Sequence, residues 1–305
     1  MKITAAIISA ACCLSLTSCF TGIESTPRIT VKEVERNVAS ANPEAEMDSL
    51  LYPEAATSWK PGRRFLATDP KISLIFEKEP AVKPGEILVF DSLSAERSII
   101  GDTISVLTFH READAGSQET LRYKVGVAPG ALSEFFTLPM SVDLATVENA
   151  RRLLAGRTFY IISSLRVDSN LRPTYGGRKY VAATITNVAP GNADYPLRVD
   201  IAEDNGKESA VAMTVGAARS STRNFDKIFE LSDPRTRYPA ITDDVWDNII
   251  NSRVSPGMTT TECRLAIGTP NDIKKWHNGG SFFEGWACEN GCYLIFVDGL
   301  LSEIR

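Results

Sequence analysis

Residues 256–270, PGMTTTECRLAIGTP, set a break, a cap, a helix and a second break in fifteen positions. Pro256-Gly257 interrupts the chain. Thr259 falls at N-cap and Glu262 at N3, the spacing of a capping box, in which hydroxyl and carboxylate each take an N–H that a helix start leaves unpaired. Met258 and Cys263 stand where a hydrophobic staple forms. Cys263, Ala266 and Ile267 make the inward face, and Gly268 and Pro270 end the helix. Upstream, Thr242-Asp243-Asp244 opens another helix, a cap followed by two acids at the positive end of the dipole. Val245, Trp246, Ile249 and Ile250 then recur on one side. Downstream, three strand-like stretches follow: 272–278, then 281–288 after Gly279-Gly280, then 292–297 after Glu289-Asn290-Gly291. Asp298-Gly299 bulges or turns the chain before Leu300 to Ile304. The order predicts an α+β two-layer (ααβββ) domain over 241–305.

Several of these residues carry a family pattern. Gly257-Met258-Thr259, Glu262-Cys263, Gly268-Thr269-Pro270, Trp286 and Phe296-Val297-Asp298-Gly299-Leu300 through Ile304 resemble, in order and spacing, the SmpA/OmlA (BamE-type) domain. The resemblance covers residues 242–305. It implies a two-layer fold in an outer-membrane lipoprotein that binds other proteins, the best-known member being an accessory subunit of the β-barrel assembly machinery. The matching residues are caps, turns and core, so the resemblance transfers a fold and no activity. Cys288 stands where the family pattern has Tyr. The remainder of the chain is similar in style to uncharacterised lipoproteins of the Bacteroidetes.

At the other end, Met1-Lys2 precedes an uncharged apolar run from Ile3 to Leu16. That is shorter than the roughly 20 residues a membrane span takes, and it reads as a secretory signal, residues 1–18. Leu16-Thr17-Ser18-Cys19 resembles a bacterial lipobox, which implies cleavage before Cys19 and acylation of its thiol and amino group. A plain signal peptide that contains cysteine is the alternative. No Asp follows Cys19, which in similar lipoproteins accompanies export to the outer membrane, and the expected location is its periplasmic face. Several acyl chains anchor a protein stably without a transmembrane helix. Residues 19–55 read as a polar tether, partly helical from Glu44 to Leu51.

Between these ends, short apolar/polar alternations bounded by Gly, Pro and Asn/Asp predict strands, for instance Ile72 to Phe76 and Ile104 to Phe109. Two small antiparallel β-rich segments are expected, domain 1 over 56–130 and domain 2 over 156–240, joined by a linker (131–155) with a helix capped by Asp143 and stopped at Gly156. Glu203 to Gly206 reads as a hairpin turn. The segments are a candidate internal duplication. Gly62-Arg63-Arg64-Phe65 matches Gly156-Arg157-Thr158-Phe159 at an offset of 94; Ile104, Val106 and Thr108 align with Leu197, Val199 and Ile201 at 93; Val125-Gly126 matches Val215-Gly216 at 90. Chance alternation between two β domains is the competing account. The arginines of the Gly-Arg motifs are expected to be solvated.

Composition excludes more than it identifies. Apolar residues at 43% and charged residues at 23% are those of a globular protein, and a net charge of −5 (−6 once residues 1–18 are removed) argues against a nucleic-acid partner. The chain has no hydrolase elbow, P-loop, dinucleotide fingerprint or zinc-protease motif, and His110 and His277 read as surface residues. Six cysteines sort by position. Cys12 and Cys13 leave with the signal, Cys19 carries lipid, and Cys288 and Cys292 flank a hairpin loop at a separation a disulfide spans. A 288–292 bridge is expected in an oxidising envelope, with Cys263 paired to one of them as the competing arrangement. No metal, cofactor or catalytic residue is expected. The resulting expectation is a non-catalytic, lipid-anchored envelope protein whose partners are the membrane and other envelope proteins, in outer-membrane assembly or integrity. The alternatives are a small-ligand or glycan-binding module and an inhibitor of an envelope enzyme.

Overall fold

Among the described residues, two of the three sheets repeat one strand order. The computed structural model describes residues 43–114, 119–216, 223–288 and 291–305. After helix α1 (Pro43–Leu50), the first sheet contains β1 (Arg64–Ala67), β2 (Ile87–Arg97), β3 (Thr103–Arg111), β4 (Leu121–Val125) and β5 (Ser141–Asp143), ordered β4-β3-β2-β1-β5. Helix α2 (Leu144–Leu154) leads into the second, with β6 (Thr158–Ile161), β7 (Arg166–Val167), β8 (Pro173–Thr174), β9 (Val181–Pro190), β10 (Leu197–Glu203), β11 (Glu208–Met213), helix α3 (Phe225–Ile228) and β12 (Phe229–Glu230). Its order is β12-β6-β9-β10-β11-β7-β8. Without the inserted β7–β8 hairpin it is the first sheet strand for strand, and both are antiparallel throughout.

The repeat extends to single hydrogen bonds. Gly62 N–H donates to Phe90 O and Gly156 N–H to Ile185 O, both at 2.8 Å; Phe90 N–H returns to Arg63 O at 2.7 Å and Ile185 N–H to Arg157 O at 2.9 Å. Both glycines have positive φ, +93° and +79°, where a Cβ is strained. One residue later each long strand bulges, at Asp91 and at Thr186. The register corrects the sequence alignment. Phe90 pairs with Phe109 as Ile185 pairs with Ile201, so Ser105, Leu107 and Phe109, all buried, match Leu197, Val199 and Ile201 at an offset of 92. The offset of 93 is one residue out, which in a strand places every side chain on the wrong face. Val125 likewise matches Met213, two residues before Val215.

Other sequence expectations also move. Ile72 to Phe76 is not a strand: a 3-10 helix spans Pro70–Ile75, started by Asp69, whose carboxylate accepts from Lys71 N–H, with Pro at the first helical position. Residues 43–55, read as tether, are in part packed: Leu51 is fully buried in the second core, and Asp48 accepts from Phe225 N–H at 3.1 Å. Burial raises the Asp48 carboxyl above its usual range, against the bond from Phe225. Residues 131–143 belong to the first sheet, which buries Leu138 and contains β5.

The two cores are covered differently. Phe65, Leu88, Phe90, Leu107 and Phe109 lie under Trp59, Ile72 and Leu138, which come from loops and 3-10 turns. The second sheet has helices: Val147, Ala150 and Leu154 of α2 and Phe225 and Ile228 of α3 pack on Phe159, Ile185 and Val199. Fully burying such a side chain is worth about 1.5–3 kcal/mol, so the helices are held by this face. Asp143 caps α2 as expected, accepting from Ala145 N–H at 3.0 Å and Thr146 Oγ1 at 2.6 Å. It also binds Arg63 through both oxygens, at 3.1 Å from Nε and 2.5 Å from Nη2. The Arg63 side chain is only 7% exposed. The expectation of a solvated arginine fails there, because the Asp143 carboxylate compensates the buried charge. The hairpin turn expected after Glu203 is present, and Glu203 itself is buried at the end of β10, paired to Arg166 at 3.1 Å.

The C-terminal part has helices α4 (Asp243–Ile250) and α5 (Thr260–Ile267), then β13 (Asp272–Asn278), β14 (Ser281–Ala287), β15 (Tyr293–Val297) and β16 (Leu300–Ile304), ordered β13-β14-β15-β16. The strands number four rather than three, because Asp298-Gly299 turns the chain into a true strand. Both bonds of the Thr259/Glu262 capping box are made, whereas the Thr242 hydroxyl makes no capping bond. Trp246, Ile249, Met258, Cys263, Trp286, Leu294 and Phe296 form its core. Lys179 and Tyr180 join it to the second sheet: Lys179 N–H donates to Ile250 O at 3.2 Å, and the Tyr180 ring meets Trp246 edge-on at 6.0 Å.

Two stability predictions follow from these buried charges. Asp143→Ala removes the cap and leaves Arg63 buried without its main partner, and should cost about 3–5 kcal/mol in urea unfolding; a loss under about 1 kcal/mol would refute the assignment. Burial lowers the Lys179 ammonium from 10.5 to about 8, with its Nζ lying 5.6 Å from the Tyr180 ring. Below pH 8 the folded state carries the whole charging penalty. Between about pH 8 and 10.5 the unfolded chain holds the proton and the folded chain does not, so stability rises with pH. Lys179→Met should therefore stabilise by something on the order of 3 kcal/mol at pH 7, with the gain fading across that window. A constant gain from pH 7 to 10 would show that packing, not charge, is responsible.

Candidate functional site

The C-terminal sheet has two apolar faces, and among the described residues only one meets helices. Alternation along β14 and β15 turns Trp286, Leu294 and Phe296 toward α4 and α5. The same alternation turns Phe283, Gly285, Tyr293, Ile295 and Val297 the other way, with Trp276 paired opposite Phe283. None of these outward residues joins a core cluster. Trp276 and Phe283 stack, centroids 5.4 Å apart and planes 11° from parallel. Gly285 is required by this arrangement: a Cβ there would lie 2.1 Å from the Tyr293 hydroxyl oxygen and 3.2 Å from the Trp276 ring. The tyrosine therefore lies flat across the glycine toward the tryptophan, and the face becomes an aromatic floor. It is half-exposed, and Trp276 is exposed. At the margins, Leu300 and Ile304 are exposed on β16, and Lys274 and Lys275 lie on the edge strand β13, where lysines discourage strand pairing.

The cysteines sit at one corner of the same unit. Cys263 is buried, Cys288 and Cys292 are half-buried, and all three are free thiols in this structure. Cys288 N–H donates to Cys292 O at 3.0 Å, and the two side chains are hydrogen-bonded. Residues 289–290 between them lie outside the described residues, as does Cys19. Burial pushes the Cys263 thiol up to about 12, helped by the Glu262 charge and by Cys288; burial and then Cys292 push Cys288 up to about 12. Thiols held protonated are poor nucleophiles and poor metal ligands. Among the described residues, no group of three His, Cys, Asp or Glu side chains is placed to hold a metal ion.

The two histidines are surface residues with partners. His110 Nδ1 lies 2.7 Å from Asp91 Oδ1, beside the bulge of β2, and His277 packs on Phe282 at 5.1 Å. A cleft of about 480 Å³ opens beside β1 and β5, lined by Pro53, Phe65, Phe135, Leu138, Asp143 and Pro196 among others. Its one buried carboxylate, Asp143, is already bound to Arg63. No described helix is long and apolar enough to cross a membrane.

The strands of this sheet fall where the sequence predicts them, whereas the expected Cys288–Cys292 bridge is not formed in this structure and the aromatic floor was missed. The signal was present: Tyr293-Leu294-Ile295-Phe296-Val297 is apolar at every position, as a strand buried or covered on both faces would be. No known family model matches the chain, and no curated protein matches it in sequence.

The thiol environments are checked by alkylation. In the reduced protein at pH 8, iodoacetamide should modify Cys263 and Cys288 orders of magnitude more slowly than a free cysteine of pKa about 8.5. Free-cysteine rates at Cys288 would contradict the burial described.

Proposed function

We propose that this is a lipid-anchored, non-catalytic envelope protein, attached to the outer membrane through Cys19, that docks another envelope protein on the outer face of its C-terminal sheet. The observation that carries the reading is the aromatic floor of Trp276, Phe283 and Tyr293, with Ile295 and Val297 beside it. Exposed aromatic clusters rimmed by charge are typical of protein-binding faces. Two helices followed by an antiparallel meander support reading this unit as BamE-like, with β16 as its closing strand. In the oxidising envelope Cys288 and Cys292, already adjacent, close a local bridge that pins the β14–β15 hairpin. A second reading, binding of a small apolar ligand, has the cleft beside β5 in its favour, whose volume falls in the range of ligand sites.

Photo-crosslinking tests the main reading. With benzoylphenylalanine at position 276 of the intact lipoprotein in its own membrane, one defined envelope protein should be captured reproducibly. The same group at the exposed turn residue Lys207 should not capture it. Trp276→Ala should weaken co-purification tenfold or more, as loss of about 2 kcal/mol at a tryptophan hot spot does. Equal capture at both positions, or none, would overturn the docking face. Cys19→Ala should abolish fatty-acid labelling and release the protein; unchanged attachment would overturn the anchor.

A further inference from the structure

We propose that the tip of the β2–β3 hairpin inserts into the surface of a phospholipid bilayer. Ile99 and Ile100 lie side by side at that tip and are exposed to 106% and 84%. The turn holds them out. Ser98 N–H donates to Asp102 O at 2.8 Å, Gly101 N–H to Ser98 O at 3.0 Å, and Asp102 N–H to Ser98 Oγ at 3.1 Å. Scattered exposed apolar residues are ordinary. Two adjacent β-branched aliphatics at the end of a closed, hydrogen-bonded turn contribute nothing to the fold around them.

The second repeat supplies an internal control. Its equivalent hairpin, β9–β10, carries Asn192-Ala193-Asp194 at the tip, and Asn192 ties the loop down by accepting from Tyr195 N–H at 2.8 Å. From the bulge outward β2 runs seven residues to Arg97, whereas β9 runs five to Pro190. Between the equivalent pairs Phe90–Phe109 and Ile185–Ile201 the two hairpins enclose 18 and 15 residues, so at about 3.4 Å per residue the first tip stands roughly 5 Å farther out. The shared topology therefore does not demand the isoleucines or the extra length; the first repeat adds both.

The chemistry of the tip selects lipid over protein. Binding hot spots on proteins favour Trp, Tyr and Arg in matched pockets, and this tip has no aromatic residue. A bilayer boundary accepts aliphatic side chains on a convex tip without a complementary cavity. Arg97 and Asp102 flank the pair, both exposed and neither in an ion pair among the described residues, so the local charge balances and attraction to the bilayer is apolar. Cys19 and Pro43 are 24 residues apart, a separation whose covalent limit is about 80 Å. The inference rests on the lipid-anchored reading only for bringing the tip near a bilayer.

The test places benzoylphenylalanine at position 100 of the mature lipoprotein, mixed with vesicles of phosphatidylethanolamine and phosphatidylglycerol, and follows fatty-acid label at Cys19 in the same sample. Irradiation should give a phospholipid adduct, little changed between 0.05 and about 0.5 M salt because no net charge drives it. The yield should be at least tenfold above that from the same group at Ala193, the exposed tip of the second repeat. Ile99→Ser/Ile100→Ser should leave the melting temperature unchanged and lower vesicle burial of a probe at Arg97. Label at Cys19 without an adduct at position 100 overturns the tip proposal and spares the anchor. An adduct without label overturns the anchor and supports the tip. An adduct only to protein, or to a second copy of this chain, overturns the tip proposal as well.

Discussion

The carboxylate of Asp143 is the point on which the two repeats depend. It is the last residue of β5, which pairs with β1 of the first sheet, and it is the N-cap of α2, which covers the second. Its remaining capacity goes to Arg63, the residue before β1, whose guanidinium also reaches Glu54 at 2.5 Å and lies 5.5 Å from the Trp59 ring. One side chain thus fixes where a strand ends, where a helix begins and how the next sheet is covered. A buried charge pair of this kind adds little net stability over an apolar one, but losing one partner is expensive. Its effect is to hold one arrangement against others.

From that junction the repeats diverge. Arg157, the counterpart of Arg63 in the Gly-Arg-x-Phe motif, has no buried carboxylate; it lies 5.1 Å from the Phe159 ring and donates to Leu153 O at 3.2 Å. The second sheet instead gains the β7–β8 hairpin, clamped by Arg166. That guanidinium donates to Ser163 O, Leu165 O, Arg178 O, Ser209 Oγ and Glu203 Oε1. Gly177 is small because a Cβ would sit 2.7 Å from the Arg166 guanidinium carbon. The first sheet spends its difference outward, in a longer hairpin with a bare aliphatic tip.

The third sheet applies a different constraint, a strand pair apolar on both faces. Packing Trp286 and Phe296 against α4 and α5 satisfies one side. On the other, Gly285 removes the side chain that would lift Tyr293 off the sheet, and the aromatic rings form a level surface. Flatness and partial exposure together leave that face apolar and half-open to solvent.

Local chemistry made much of this readable. The capping box at Thr259 and Glu262, the cap at Asp143, the helix stops and the hairpin glycines were legible because each depends on residues within four or five positions. The count of β-rich segments and the helix between them followed from periodicity. Register did not. The offset of 93 between the repeats differs from the true 92 by one residue, because β3 is apolar in both phases, with Ile104 and Val106 in one and Leu107 and Phe109 in the other, and the polar Ser105 lies in the buried one. Nor could sequence tell that Arg63 is buried and Arg64 exposed, since their partners Asp143 and Glu112 lie 80 and 48 residues away. The same holds for the aromatic floor: an apolar strand announces two covered faces, but only the packed structure decides which face the helices take and which they leave half-exposed.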